Sequence, residues 1–374
     1  MRGKQLFSLV QSDGSLVLHT AEVEIGQPGP NEVIIRIEAA PVHPSDQLLL
    51  LATADPSTIR STGSADEPQV TAVIPDERLA HVAGRIGIAQ AVGNEGAGIV
   101  VAAGENVTHL MGKTVACLGR GMYAEYIRLP ASACYVLPDG ITPAQGAASL
   151  VNPLTALTMV ETMRAEGHVG LVHTAAASSL GQMLNRICVE DGIPLVNIVR
   201  KKEQADLLRA QGAQHVCVTA DPDFRKNLDQ ALDATQATIA FDAIGGGHLI
   251  GQLLDSMETV AMKKLTEYSR YGSMRRKTIY VYGALGDEPI DFHRGFEFAW
   301  NISGWLVTPY LQAMSQERKA EIWQRISTHL TTTFATTYAA ILSLEEILVP
   351  SNLQRGSQLA TGSKFLIMPH KAPQ

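Results

Sequence analysis

The stretch that most constrains the fold is residues 169–202. It opens with Val-Gly-Leu-Val-His, passes through Thr-Ala-Ala-Ala-Ser-Ser-Leu-Gly (174–181), and returns to an apolar run at 195–199. The short apolar runs at 169–173 and 195–199 suit parallel strands buried on both faces. Between them Met183, Leu184, Ile187 and Cys188 share one helical stripe. Gly192 suits a helix C-terminus, and Pro194 resists continuing it. The segment is therefore predicted to be one strand–turn–helix–strand unit.

The turn carries the chemistry. A dinucleotide pyrophosphate needs backbone close by and helix N–H groups aimed at it, and bulky side chains would block that approach. The usual fingerprint is G-x-G-x-x-G. Here Ala and Ser replace the first glycines, leaving Gly181 for the close helix–strand contact. A plain tight turn explains the run equally well. The end of the second strand adds direction. An unphosphorylated ribose is held by Asp or Glu about 20 residues on. This chain has Arg200, Lys201 and Lys202 instead. Cations cannot accept from a ribose hydroxyl, but they suit a 2′-phosphate. A solvated basic helix start is the competing reading. The expected cofactor is NADPH.

A chain of 374 residues exceeds what one core usually supports, so two domains are expected. The formal net charge of −7 argues against a general nucleic-acid binder. Cys117, Cys134, Cys188 and Cys217 form no C-x-x-C pair and read as buried thiols of an intracellular protein. No uncharged apolar run reaches transmembrane length, and no signal-peptide core follows the N-terminus. A cytoplasmic location with no membrane partner is expected.

Residues 15–19, 21–25 and 32–40 read as strands between Gly and Pro turns, and 92–107, 112–119 and 121–129 as further Gly-rich strands. Together they predict a partly closed antiparallel barrel. Residues 52–69 are polar and read as a long surface loop, either disordered or a lid. A short helix falls within 76–89, and 142–149 and 153–164 are helical. After Lys202 strands at 215–218, 238–242 and 278–282 alternate with helices at 203–211, 223–234 and 247–257, which implies a doubly wound parallel sheet. Residues 258–277 are too long for a simple connection and read as a basic, amphipathic extra helix covering a sheet edge. Residues 296–314, 317–330 and 344–354 read as helices, 331–338 as strand-like, and 364–368 as a last strand.

Five motifs in this order carry a family resemblance: Pro-Val-His-Pro-Ser-Asp (41–46), Gly-Asn-Glu-Gly-Ala-Gly-Ile-Val (93–100), Tyr-Ala-Glu-Tyr (123–126), Val-Asn-Pro-Leu-Thr-Ala-Leu (151–157) and Thr-Gly-Ser-Lys-Phe-Leu-Ile (361–367). The chain resembles a medium-chain dehydrogenase/reductase of the zinc-independent branch, the NADPH:quinone oxidoreductases and enoyl reductases. The resemblance implies an α/β fold: a GroES-like β domain (1–153 and 309–374) plus a Rossmann doubly wound parallel sheet (154–308). It also implies that Thr155 touches the nicotinamide end and that Ala177, Ser178, Leu180 and Gly181 line the pyrophosphate. Arg200 and Lys201 would hold the 2′-phosphate. Gly283, Ala284, Leu285 and the 361–363 loop with Gly362 would pass beside the nicotinamide, and residues 242–245 would lie near the adenosine ribose. Relatives commonly form a homodimer through the sheet edge, here near residues 278–282.

Departures from the family pattern narrow the chemistry. In the zinc alcohol dehydrogenases a Cys begins the first motif and a Gly-His-Glu supplies a second ligand. Here Val42 precedes His43, and Asn94 stands where that His would be. A catalytic zinc needs three protein ligands, which this chain does not assemble, so no metal is expected. Relatives usually have Asn at the His43 position and often a Tyr soon after Ser-Asp, whereas residues 47–51 hold no Tyr. By position, the candidate proton donors are His43, Tyr123 and Asn152. Each has a plainer role: a turn histidine bonded to backbone, a core tyrosine, and a cap for a helix starting at Pro153. Without a metal to polarise a carbonyl, reduction of an activated acceptor is easier than alcohol oxidation. The expected activity is NADPH-dependent hydride transfer to a small-molecule electron acceptor, a quinone or conjugated enone. An enoyl thioester reductase is the alternative, and a non-catalytic NADPH-binding sensor is the reading from a different class.

Overall fold

Alternating strands and Gly turns build the first part of the chain. In the computed structural model, which describes residues 1–64, 67–286, 288–291, 295–358 and 361–373, the chain divides into two units: Met1–Val151 with Trp323–Gln374, and Asn152–Ile322. The first unit opens with β1 (Arg2–Val10) and β2 (Ser15–Glu24), one continuous antiparallel pair where two strands were expected at 15–25. In β1 Leu6, Ser8 and Val10 face inward at every second position, the period of a half-buried strand. β3 (Glu32–Pro41), β4 (Arg60–Ser61), β5 (Gln69–Val73), β6 (Gln90–Ala91), β7 (Glu95–Ala103), β8 (Thr114–Leu118), β9 (Tyr126–Pro130) and β10 (Cys134–Val136) follow. One sheet runs β4-β5-β2-β1-β6, and β10-β8-β7-β3 with β9 begins the other. The glycines of β7 are needed for close packing. A Cβ on Gly98 would lie 2.0 Å from the Arg36 carbonyl oxygen. The 52–69 segment is less open than expected, because β4 pairs β5 and a 3-10 turn covers Pro56–Thr58. Ala65 and Asp66 lie outside the described residues.

The second unit bears out the strand–helix alternation. β11 (Leu171–His173), β12 (Leu195–Val199), β13 (His215–Val218), β14 (Ile239–Asp242), β15 (Lys277–Val281) and β16 (Trp300–Gly304) form a parallel sheet in the order β13-β12-β11-β14-β15-β16. Strand order reverses beside β11, so the carboxyl ends of β11 and β14 flank the switch point where α/β sheets bind ligands. The helix Ser179–Asp191 ends on Gly192, whose φ of 65° is the left-handed cap that glycine favours. A core of Val172, Val196, Ile198, Ala240, Ile250, Leu253 and Ile279 lies against this sheet.

Five expectations change. Residues 296–314 are not one helix: 300–304 form β16, paired along its length with β15, and only Val307–Ala313 is helical. That pairing also moves the sheet edge from 278–282 to β16. Residues 258–277 are not an extra helix: the helix Leu249–Met262 ends and an irregular segment follows. Its end is pinned by a buried ion pair between Lys277 and Glu258, with Ser273 donating through its N–H and its hydroxyl to the same carboxylate at 2.7 Å each. Residues 331–338 turn rather than extend, with Phe334 N–H bonded to the His329 carbonyl. The expected helix at 344–354 is split by Pro350 into a 3-10 turn and Pro350–Ser357, since proline starts helices more readily than it continues them. The chain closes the first unit with β17 (Ala340–Leu342) and β18 (Phe365–Ile367), the latter antiparallel to β3. Among the described residues no helix is long and apolar enough to cross a membrane.

Candidate functional site

In the second unit the turns after β11 and β14 are tied together. Thr174 Oγ1 donates to Asp242 Oδ1 at 2.7 Å and accepts from the Ala243 N–H at 2.8 Å, while Gly245 N–H bonds Asp242 Oδ2 at 2.7 Å. Ala175 sits at φ 49°, a left-handed conformation that costs a non-glycine residue energy. Ser178 then caps the helix Ser179–Asp191 by accepting from the Gly181 N–H at 3.1 Å. A Cβ on Gly181 would fall 2.2 Å from the Ala176 carbonyl oxygen, which is why this glycine of the fingerprint survives. Ala177 and Gly181 are buried, and Leu180 is half-buried.

Arg200 and Lys201 follow β12 with exposed side chains. Their N–H groups both bond Gln204 Oε1 at 3.0 Å, which fixes the backbone that presents the two cations. Across the switch point, the loop carrying Gly283, Ala284 and Leu285 is held by Leu285 N–H on the Ala243 carbonyl at 3.1 Å. Tyr282 just before it bonds His173 Nε2 at 2.7 Å. Burial pushes His173 down to about 3, so its ring is neutral and accepts the Tyr282 hydroxyl proton. Thr155 is buried on the helix Val151–Ala165. Asn152 lies within that helix, which begins at Val151, and its amide reaches Ser179 Oγ at 3.3 Å.

The first unit holds a buried polar cluster. His43 precedes the helix Pro44–Leu51, and its N–H bonds Asp46 Oδ2 at 2.8 Å. Its ring bonds a side chain, not the backbone: His43 Nε2 lies 2.5 Å from Glu95 Oε1 at the start of β7. The other Glu95 oxygen accepts from the Leu150 and Val151 N–H groups at 2.8 and 3.0 Å. Lys364 Nζ lies 3.4 Å from His43 Nδ1. The contacts are all satisfied when His43 donates from Nε2 to Glu95 and accepts at Nδ1 from the Lys364 ammonium. Burial pushes Lys364 down to about 8, against the pull of Glu95 and Asp46. Burial likewise raises Asp46, which also accepts from Asn94 Nδ2 at 2.7 Å. Tyr123 is fully buried, its hydroxyl donates to the Pro41 carbonyl at 3.1 Å, and burial pushes its phenol well above the usual range. Gly362 is exposed in the turn before β18, at φ 78°.

His43 and Tyr123 thus stand in the first unit, and Asn152 in the second. Three members of the cluster were missed from sequence: Glu95, Asp46 and Lys364. The signal was present for two of them. Glu95 is the lone carboxylate of an otherwise apolar Gly-rich strand, and Lys364 directly precedes the apolar Phe-Leu-Ile of β18.

One unit is strand-rich and carries buried polar groups, and the other is a doubly wound parallel sheet with a small-residue βα turn; each is a part of a dinucleotide-type oxidoreductase architecture. Residues 29–139 match the alcohol dehydrogenase GroES-like domain. Over 325 residues the chain is 26% identical to the mitochondrial enoyl-[acyl-carrier-protein] reductase of Xenopus tropicalis, covering 83% of this chain and 79% of that protein. The human enzyme of the same name is 30% identical over 208 residues, about half the length of each (53% and 51%). The structure of a candidate NADPH:quinone reductase from Mesorhizobium loti superposes with a TM-score of 0.72 at 25% identity, over 98% of both chains. The chain thus carries a match to the alcohol dehydrogenase GroES-like domain and is similar, along nearly its whole length, to a structure described as an NADPH:quinone reductase.

Proposed function

We propose that this chain is an NADPH-dependent reductase that delivers hydride to a quinone or conjugated enone without a metal. The observation that carries the reading is the Lys364–His43–Glu95 chain: a half-buried ammonium held by a histidine that is itself anchored on a buried carboxylate. Such an array donates to an oxygen that gains charge, and a preorganised donor in an enclosed site is worth more than one in water. Lys364 is the donor, with an acidity suited to giving up a proton near neutral pH. His43 and Glu95 position it. Tyr123 packs the cluster, and Asn152 steadies the N-terminus of the Ser179 helix.

Bound NADPH would supply the hydride. The residues present fit it. Gly181 leaves room that a Cβ would close, Ala177, Ser178 and Leu180 complete the small-residue turn, and Arg200 and Lys201 offer two exposed cations to a 2′-phosphate. Thr155, Gly283, Ala284 and Leu285 would lie along the nicotinamide end. A second reading, enoyl thioester reduction, is favoured by the frog relative's name over 83% of this chain. We also propose a cytoplasmic homodimer, which sedimentation of the purified chain would measure.

The test is NADPH consumption against quinones, enones and enoyl thioesters, with NADH in parallel. Turnover of quinones or enones supports the first reading, and turnover of thioesters alone replaces it with the second. Tight NADPH binding with no turnover of any acceptor would overturn both in favour of a sensor.

A further inference from the structure

β8 and β10 place Cys117 and Cys134 directly opposite each other in antiparallel register. Three positions along, the Leu137 N–H bonds the Thr114 carbonyl at 2.9 Å. Hydrogen-bonded and non-hydrogen-bonded pairs alternate along an antiparallel ladder. Counting back from Leu137 and Thr114, Tyr135–Ala116 is a bonded pair and Cys134–Cys117 is a non-bonded one. Such pairs bring Cα atoms to about 4.5 Å with side chains on one face. A disulfide spans Cα separations of about 4.4–6.8 Å. Both thiols are free, Cys117 lies in the core of the first unit, and Cys134 packs against that core while partly exposed. Each now makes weak contacts: Cys117 Sγ to the Gly96 carbonyl at 3.4 Å and to Met122 Sδ at 3.7 Å, and Cys134 Sγ to the Pro130 carbonyl at 3.7 Å.

We propose that Cys117 and Cys134 are a reversible dithiol–disulfide site, closed by peroxide, that locks β8 to β10 beside the Glu95 cluster. β8 is the neighbour of β7, with Cys117 opposite Gly96 and Leu118 opposite Glu95. Closing the bridge draws the Cys117 sulfur off the Gly96 carbonyl, one residue from the carboxylate that anchors His43. The chemistry has two steps. The partly exposed Cys134 sulfur attacks one peroxide oxygen, the O–O bond breaks, and sulfenic acid and water result. The Cys117 sulfur then displaces the hydroxyl as water, with its own proton completing that water, and the S–S bond forms. Both sulfurs are oxidised and the peroxide is reduced. Burial holds both thiols protonated, pushing Cys134 up to about 12. Attack is therefore slow, yet the reduced pair gains no thiolate stabilisation, which favours the disulfide at equilibrium. The site is a lock set by sustained oxidation, not a fast sensor.

The experiment exposes the full chain to hydrogen peroxide, alkylates the remaining thiols, and maps disulfides by mass spectrometry of peptides. A dithiothreitol control and the Cys134→Ser variant run alongside. The expected result is a Cys117–Cys134 link that dithiothreitol reverses, that Cys134→Ser lacks, and that raises the melting temperature of the wild-type chain by roughly 5–10 °C. Full alkylation of both thiols after peroxide, a link through Cys188 or Cys217, over-oxidation of Cys134 without a link, or a fall in melting temperature would each overturn the proposal. None of these readouts depends on which acceptor the enzyme reduces.

Discussion

Lys277→Met tests how the 258–277 segment is held. Lys277 is fully buried in β15, and its ammonium donates to the Glu258 carboxylate, to Ser273 Oγ at 3.1 Å and to the Arg275 carbonyl at 2.8 Å. Methionine keeps the apolar stem and deletes the charge. Glu258 then keeps only the two Ser273 donors and carries an uncompensated buried charge. Breaking a buried pair costs about 3–5 kcal/mol, and the surviving Ser273 bonds place this case near the low end, about 3 kcal/mol. For a unit of this size that is a fall in melting temperature of roughly 6–12 °C. Replacing both partners, in Glu258→Leu/Lys277→Met, removes both charges and should return stability to within about 1 kcal/mol of wild type. The assay is urea unfolding followed by the fluorescence of Trp300 and Trp305, which lie in the same unit. The pH dependence has a fixed sign. Burial alone would raise Glu258, but its bonds to Lys277 and Ser273 win and leave it below the usual carboxylate value. Its stabilisation is therefore present above about 4.5 and lost as pH falls through the lower folded value. The gap between wild type and Lys277→Met should shrink on acidification. A single variant within 1 kcal/mol of wild type, or a double variant no better than the single, would refute this account.

Two further outcomes concern the site. Arg200→Ala/Lys201→Ala should raise the KM for NADPH by about a hundredfold or more while leaving NADH within a few fold, since a charge-assisted hydrogen bond is worth about 1.5–3 kcal/mol; equal losses for both nucleotides would remove the cations from the 2′-phosphate. Lys364→Met should lower enone turnover by about a hundredfold, with a smaller loss for quinones, and should abolish a decline in kcat as pH rises through about 8 in the wild type. Because the folded Lys364 titrates below its usual 10.5, wild-type stability should also gain on Lys364→Met between those two values as pH rises. Survival of the alkaline limb in the variant would assign the proton to another group.

The parts of the fold that local chemistry dictates were legible in the sequence. The strand–turn–helix–strand unit at 169–202 needed only apolar runs, small residues and Gly192, all of which act on near neighbours. Residues 296–314 misled because Trp300-Asn-Ile-Ser-Gly has no strong alternation, and it becomes a strand only by pairing with β15. The polar cluster was half legible. His43 stood out by its place between Val42 and Pro44, but its partners are 52 and 321 positions away. No pattern along the chain announces a contact over such a span, and only the strand pairing that brings β3, β7 and β18 into one sheet creates it.

The first unit is assembled from both ends of the chain. Leu366 of β18 sits beside Pro41 of β3, whereas the second unit is one continuous stretch, Asn152–Ile322. On a ribosome adding about 5–20 residues per second, β3 waits roughly a quarter of a minute to a minute for that neighbour. Throughout that interval the Ala40–Pro41 end of β3 lacks this partner, while β9 already pairs Glu32–Arg36, and the second unit can complete its sheet first. A newborn chain is thus most vulnerable to misassociation at the Ala40–Pro41 end of β3, which β18 later covers, and a slower or interrupted synthesis lengthens that exposure.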